Sequence, residues 1–221
     1  LRTSRLLVEA AQASILGFVA LYTLILFALR PDERALLFAG LLAANFALRT
    51  LVYGEFLIYA LLPDLGFAAV FRFGYLTLAL LFALLAAFFS TLYPELVPKG
   101  FLRAGLAAGL VQSLWFLAGP TPLVARSLPL TLAAIGLFSL YFLGVLAFAL
   151  RRRLPGAAII AAGFVPLILT IAHDVLVNRG LVRAPFVAPA GMILFFVCVA
   201  GAAAHLARES ALVRSAVLAL M

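Results

Sequence analysis

Residues 170–208 read TIAHDVLVNRGLVRAPFVAPAGMILFFVCVAGAAAHLAR. An apolar helix ends here in His173-Asp174, turns at Asn178-Arg179-Gly180, and is followed by a second apolar run that closes at His205-Leu206-Ala207-Arg208. A run of about 20 apolar residues crosses a hydrocarbon core of about 30 Å at about 1.5 Å per residue. Two such runs joined by a short glycine-containing turn read as a transmembrane helical hairpin. The stretch also holds the only adjacent ionisable residues inside an apolar run, and it delivers the chain to its C-terminus.

The rest of the chain repeats this pattern. Of 221 residues, 67% are hydrophobic and only 11% charged, with a mean hydropathy of +1.25, well beyond a soluble domain, where about half the residues are apolar. Apolar runs cover about 9–29, 35–53, 67–92, 101–119, 124–150, 156–177 and 186–207. The expected fold is therefore an all-α membrane protein, a bundle of seven transmembrane helices over residues 1–207, followed by the start of a cytoplasmic helix over 208–221. Between the second and third spans, residues 56–62 are too short to cross and read as an interfacial or re-entrant segment. In the fourth span Gly105 and Gly109 have the small-xxx-small spacing that lets two helix backbones approach closely. Pro120-Thr121-Pro122 reads as a tight turn. The first residue is Leu1 and no secretory signal pattern precedes the first span, so the chain reads as part of something longer.

Seven spans put the termini on opposite faces, and basic residues near the helix ends favour the orientation. With the N-terminus outside, the cytoplasmic side collects Arg30, Arg34, Lys99, Arg103, Arg151, Arg152, Arg153, Arg208 and Arg214. The other side collects the smaller set Arg2, Arg5, Arg49, Arg72, Arg126, Arg179 and Arg183. Tyr53, Tyr59 and Tyr93 near helix ends read as interfacial anchors. The formal charge of +8 comes from scattered residues rather than one basic patch, so it points to no nucleic-acid partner. Beyond the last span, Leu206, Val213 and Leu220 fall seven apart with Val217 between the last two, the spacing of a coiled-coil seam. The same stretch also reads as an amphipathic helix lying on the inner surface.

Charged side chains inside a span are costly, so by default they face partners or water. Asp174 and His173, with Arg49 and Arg72, form a candidate polar network toward the outer helix ends. One reading is a ligand- or pH-responsive network, because histidine titrates near neutral pH. The other is structural: Asp174 pairs with one arginine to hold the bundle while the remaining arginines snorkel to the headgroups. His205 at the inner end of the last span reads as an anchor, and Asn45 as an interhelical hydrogen-bonding residue. Pro166 and Pro189 are expected to kink or open the last two helices. With Leu206, Val213, Val217 and Leu220, they are the candidates for signal relay.

The exclusions are sharper. The one lysine, Lys99, lies in a loop, which rules out a retinal Schiff base on a span lysine. Two histidines and the single Cys198, inside a span, do not make a standard zinc site. No nucleophile elbow or phosphate loop appears. Catalysis, a metal and a cofactor are therefore not expected on this chain.

The order of local cues resembles the membrane domain of the bacterial seven-transmembrane receptors with diverse intracellular signalling modules. The resemblance is carried by Leu21-Tyr22-Thr23-Leu24 with Phe27, Arg30 and Asp32; by Val52-Tyr53-Gly54; and by Tyr93-Pro94-Glu95-Leu96 followed by Phe101-Leu102-Arg103. Further on it rests on Asp174-Val175-Leu176, Gly180-Leu181, Pro189-Ala190-Gly191, Phe195-Phe196 and Leu206-Ala207-Arg208. Thr23 stands where the family pattern has asparagine, and Ala190 where an aromatic is common. The resemblance implies an extracytoplasmic β-sandwich sensor upstream and a kinase, cyclase or phosphatase output module downstream. It also implies a bacterial inner-membrane location with the N-terminus outside and the C-terminus cytoplasmic. The expected function is a transmembrane sensor domain, working in the lipid bilayer as a homodimer and relaying an external signal to that output. The alternative is a small-solute transporter or channel, for which paired broken helices in the two halves would be the signature; only the 56–66 region is interrupted.

Overall fold

The computed structural model describes the backbone of residues 2–53, 56–184 and 186–219, and their side chains except those of 2–5, 178 and 204–219. Glu55, His205, Leu206, Val213, Val217 and Leu220 therefore lie outside the described residues, as side chains or altogether. Every regular element among the described residues is a helix: α1 (Arg2–Leu29), α2 (Arg34–Val52), α3 (Ile58–Leu61), α4 (Phe67–Leu92), α5 (Lys99–Ala118), α6 (Thr121–Arg151), α7 (Ala157–Asn178) and α8 (Ala188–Ala219). Six of them are long and apolar enough to cross a membrane, namely α1 from Leu6, α2, α4, α5, α6 and α7 up to Val177; the described apolar part of α8 is Ala188–Ala203.

The helices fall into two compact units, residues 1–142 and 143–221. In the first unit α1 packs on α2, α2 on α4 and α4 on α5. Glycines set the closest approaches. A Cβ at Gly40 of α2 would lie 2.7 Å from Leu24 of α1. One at Gly105 would lie 2.5 Å from the Ala86 side chain, and one at Gly109 would lie 3.0 Å from Ala83. The close contact anticipated from Gly105 and Gly109 is thus made against an alanine stripe on α4. Near the Tyr93 end of α4, Phe89 stacks on Phe142 at 4.3 Å and Phe101 on Tyr141 at 3.8 Å, with Phe82 edge-on to Phe138 at 5.0 Å. Such ring pairs add about 1 kcal/mol each beyond the area they bury.

In the second unit α7 and α8 form the hairpin read from the sequence. A Cβ at Gly163 would lie 2.8 Å from that of Cys198, and one at Gly191 would collide with the Thr170 hydroxyl. These two glycines let the helices touch along their length. At the end of α7, Gly180 takes φ 71. Its N–H bonds to the Val177 carbonyl and that of Leu181 to the Leu176 carbonyl, the Schellman pattern that satisfies the last carbonyls of a helix. The same two bonds close α6, from Arg153 N to Leu150 O and from Leu154 N to Ala149 O. There the left-handed position is held by Arg153 at φ 53.

Four readings are corrected in detail. Lys99, read as a loop residue, is the first residue of α5, at the very end of that helix rather than within it. Thr121 and Pro122 belong to the first turn of α6 rather than to a turn before it, a position where proline removes no needed hydrogen bond. Pro189 lies in the first turn of α8, so it does not interrupt a ladder as expected; Pro166 does lie inside α7, where a proline removes one ladder hydrogen bond. Tyr93 is 4% exposed rather than an interfacial anchor. Pro129 inside α6 went unremarked in the sequence, although proline in a helix interior always frees a carbonyl one turn back.

Candidate functional site

Asp174 lies on the last turn of α7, which carries it to the start of α8. Its Oδ1 accepts the Val187 N–H at 2.8 Å, and its Oδ2 accepts the Ala188 N–H, also at 2.8 Å. Oδ1 also lies 3.1 Å from His173 Nδ1, a pairing in which an ionised carboxylate accepts from the ring N–H. Helix N-termini present N–H groups with no partner inside the helix. At α8 the residue before the helix, Val187, has no side-chain acceptor, and Pro189 has no N–H at all. The carboxylate from α7 does the capping instead, and its negative charge sits at the positive end of the α8 dipole. The expected arginine partner of Asp174 is thus replaced by two backbone amides and the neighbouring imidazole. The physical reason is distance in sequence: the chain must return through 13 residues before these amides exist, and no local pattern announces that.

Arg72 also has a structural job. Its Nη1 donates to the carbonyls of Phe116, at 3.1 Å, and Leu117, and its Nη2 to that of Gly119 at 3.1 Å. These are carbonyls at the C-terminal end of α5, where a cation complements the dipole. Arg72 therefore ties α4 to α5 and has little left for a ligand.

Arg49 is placed differently. It lies in the last turn of α2, and Nη1 donates across to α4, to the Gly74 carbonyl and the Thr77 hydroxyl, both at 3.3 Å. Thr77, fully buried, donates in turn to Gly74 O at 2.7 Å. One turn earlier on the same face of α2, Asn45 Nδ2 donates to Thr77 O at 3.0 Å. The Tyr53 ring lies 5.0 Å from the guanidinium carbon, within cation–π range. Thr77 was not singled out in the sequence. A lone threonine in an apolar run carries no signal until its neighbour on the next helix is known.

The structure thus places Arg49 with Asn45 and Thr77 between α2 and α4, Arg72 at the end of α5, and His173 with Asp174 at the start of α8. Among the described residues no group of three or more His, Cys, Asp or Glu side chains could hold a metal ion. No curated protein and no solved structure matches the chain. The sequence model of the family described as "7TM diverse intracellular signalling" matches residues 5–205. That is nearly the whole chain, from the start of α1 into α8, and the chain belongs to the 7TM diverse intracellular signalling family.

Proposed function

We propose that the chain is the transmembrane sensor domain of a bacterial signalling receptor and relays an extracytoplasmic event to a cytoplasmic output module joined to its C-terminal end. In this reading the chain crosses the inner membrane seven times, with α8 as the seventh crossing, its N-terminus outside and its C-terminus inside. It works as a dimer through residues 208–221 and performs no catalysis itself. The observation that carries the reading is the Asp174 clamp. It fixes the start of a helix that continues without a break over Ala188–Ala219. A rigid helix held at one end by a pair of charge-assisted hydrogen bonds transmits a shift or rotation of that end along its length. A turn that loosens or re-seats the Val187 and Ala188 amides would move the far end by the same rotation. An external event drives such a shift only through different affinities for the two states.

Fusion of the full chain at Met221 to a reporter kinase, with zero to seven residues inserted at the junction, tests the relay. Output is expected to rise and fall with the helical repeat of about 3.6 residues. Output that is indifferent to the insert length would overturn the reading.

A further inference from the structure

We infer that the Tyr53 end of the α2–α4 pair is a binding site for an oxyanion, a phosphate or a carboxylate, held by the free edge of the Arg49 guanidinium with Asn45 beside it. Arg49 lies in a membrane-spanning helix, and among the described residues no carboxylate forms an ion pair with it. A guanidinium has five N–H donors in a planar fork. Nη1 is anchored on Gly74 O and Thr77 Oγ1, and the Tyr53 ring covers one face. The remaining edge, Nε and Nη2, has no hydrogen-bond partner among the described residues. That edge is the one that takes two oxygens of a carboxylate or phosphate side by side.

A second atom points the same way. Asn45 is 5% exposed, and its Oδ1 is buried with no hydrogen-bond partner among the described residues. Asn45 and Arg49 are four residues apart and so share one face of α2. A buried acceptor without a donor costs about 1–3 kcal/mol, and a charge in a span without a counter-charge costs about as much on insertion scales. An oxyanion that brings a hydroxyl or its own hydration water relieves both at once: its oxygens accept from the Arg49 fork, and the hydroxyl or water donates to Asn45 Oδ1. The anchoring on α4 makes the fork preorganised, so little side-chain freedom is lost on binding. Two sources supply this chemistry, a phospholipid headgroup and a soluble anion.

The site is independent of the relay proposed above, and its test reads binding rather than output. The full chain, in a maltoside micelle free of phosphate and carboxylate, is titrated at constant ionic strength with four additives: inorganic phosphate, acetate, short-chain phosphatidylglycerol, and a diacylglycerol of equal chain length. The midpoint of thermal unfolding is followed, with chloride as the reference. At least one oxyanion is expected to raise the midpoint saturably where chloride and diacylglycerol do not. Arg49→Gln is expected to weaken half-saturation by at least about tenfold, the loss of one charged hydrogen bond. Arg49→Lys, which keeps the charge and loses the fork, should fall between. Asn45→Ala leaves the guanidinium in place, should also weaken binding, and keeps the test open if Arg49→Gln does not fold. A response to phosphatidylglycerol alone assigns a lipid headgroup, and a response to phosphate or acetate assigns a soluble anion. No oxyanion effect beyond chloride, or an equal effect in Arg49→Gln and Asn45→Ala, would overturn the site. So would binding that emerges only in Glu55→Gln, because the fork would then belong to the chain's own carboxylate.

Discussion

Asp174 gathers two backbone amides and one imidazole around a single carboxylate at the mouth of α8. Asp174→Asn keeps one oxygen but turns an NH2 group toward the other amide. The variant is expected to lose about 2 kcal/mol of stability in micelles, the worth of a charge-assisted hydrogen bond. Amide exchange should accelerate at Val187 and Ala188 before it does elsewhere. Tyr93 offers a second residue-scale test. Burial pushes its phenol up to about 12 from the ordinary 10.0, and its hydroxyl has no hydrogen-bond partner among the described residues. A folded-state pKa raised above the unfolded one means stability present in full below pH 10 and lost as pH rises toward about 12. Tyr93→Phe should flatten that part of the pH–stability curve relative to the parent, and be neutral or stabilising by up to ~1 kcal/mol at neutral pH. Of these residues, Asp174, His173, Arg49 and Arg72 were legible in the sequence because ionisable groups in apolar runs stand out. Their partners were not. Asp174 and Arg72 bind backbone groups 13 and 44 or more residues away, and backbone atoms leave no trace in composition.

At the scale of elements, helices were easier to read than their ends. The long apolar runs predict helices because about 20 uninterrupted apolar residues admit little else in a bilayer. Caps decide the ends, and caps depend on single residues. α1 already begins at Arg2, ahead of the apolar run that starts near residue 9, since helix formation does not need apolarity. The Gly180 cap was visible as a glycine after the last apolar turn of α7. Its counterpart after α6 was hidden because arginine, not glycine, holds the left-handed position. That conformation costs a non-glycine residue about 1 kcal/mol. Arg153→Gly is therefore expected to stabilise the chain by about that amount, read as a rise in the unfolding midpoint. A fall would mean that the exposed Arg153 side chain matters more than its backbone. The α7–α8 contact carries the same lesson. Gly163 and Gly191 set it, and neither has the four-residue spacing that drew attention to Gly105 and Gly109.

At the scale of the whole molecule, the seven-transmembrane signalling family was legible from the order of weak cues, and the family match over residues 5–205 establishes it. The proposed topology places the α7–α8 turn outside and the arginine triplet after α6 inside. In a Cys198→Ala background, Arg179→Cys is expected to react with a membrane-impermeant maleimide on intact cells, and Arg152→Cys only after permeabilisation; the reverse pattern would invert the topology. The clamp on α8 joins all three scales, since one carboxylate sets the start of one helix and that helix leads to the C-terminal end of the chain. The most direct measurement is the output of the full chain fused at Met221 to a reporter kinase, compared between the parent and Asp174→Asn, with amide exchange at Val187 and Ala188 followed in the same preparations. If the clamp governs the relay, output changes several-fold in the variant whose α8 start has loosened. Unchanged output alongside accelerated exchange at both amides would contradict it.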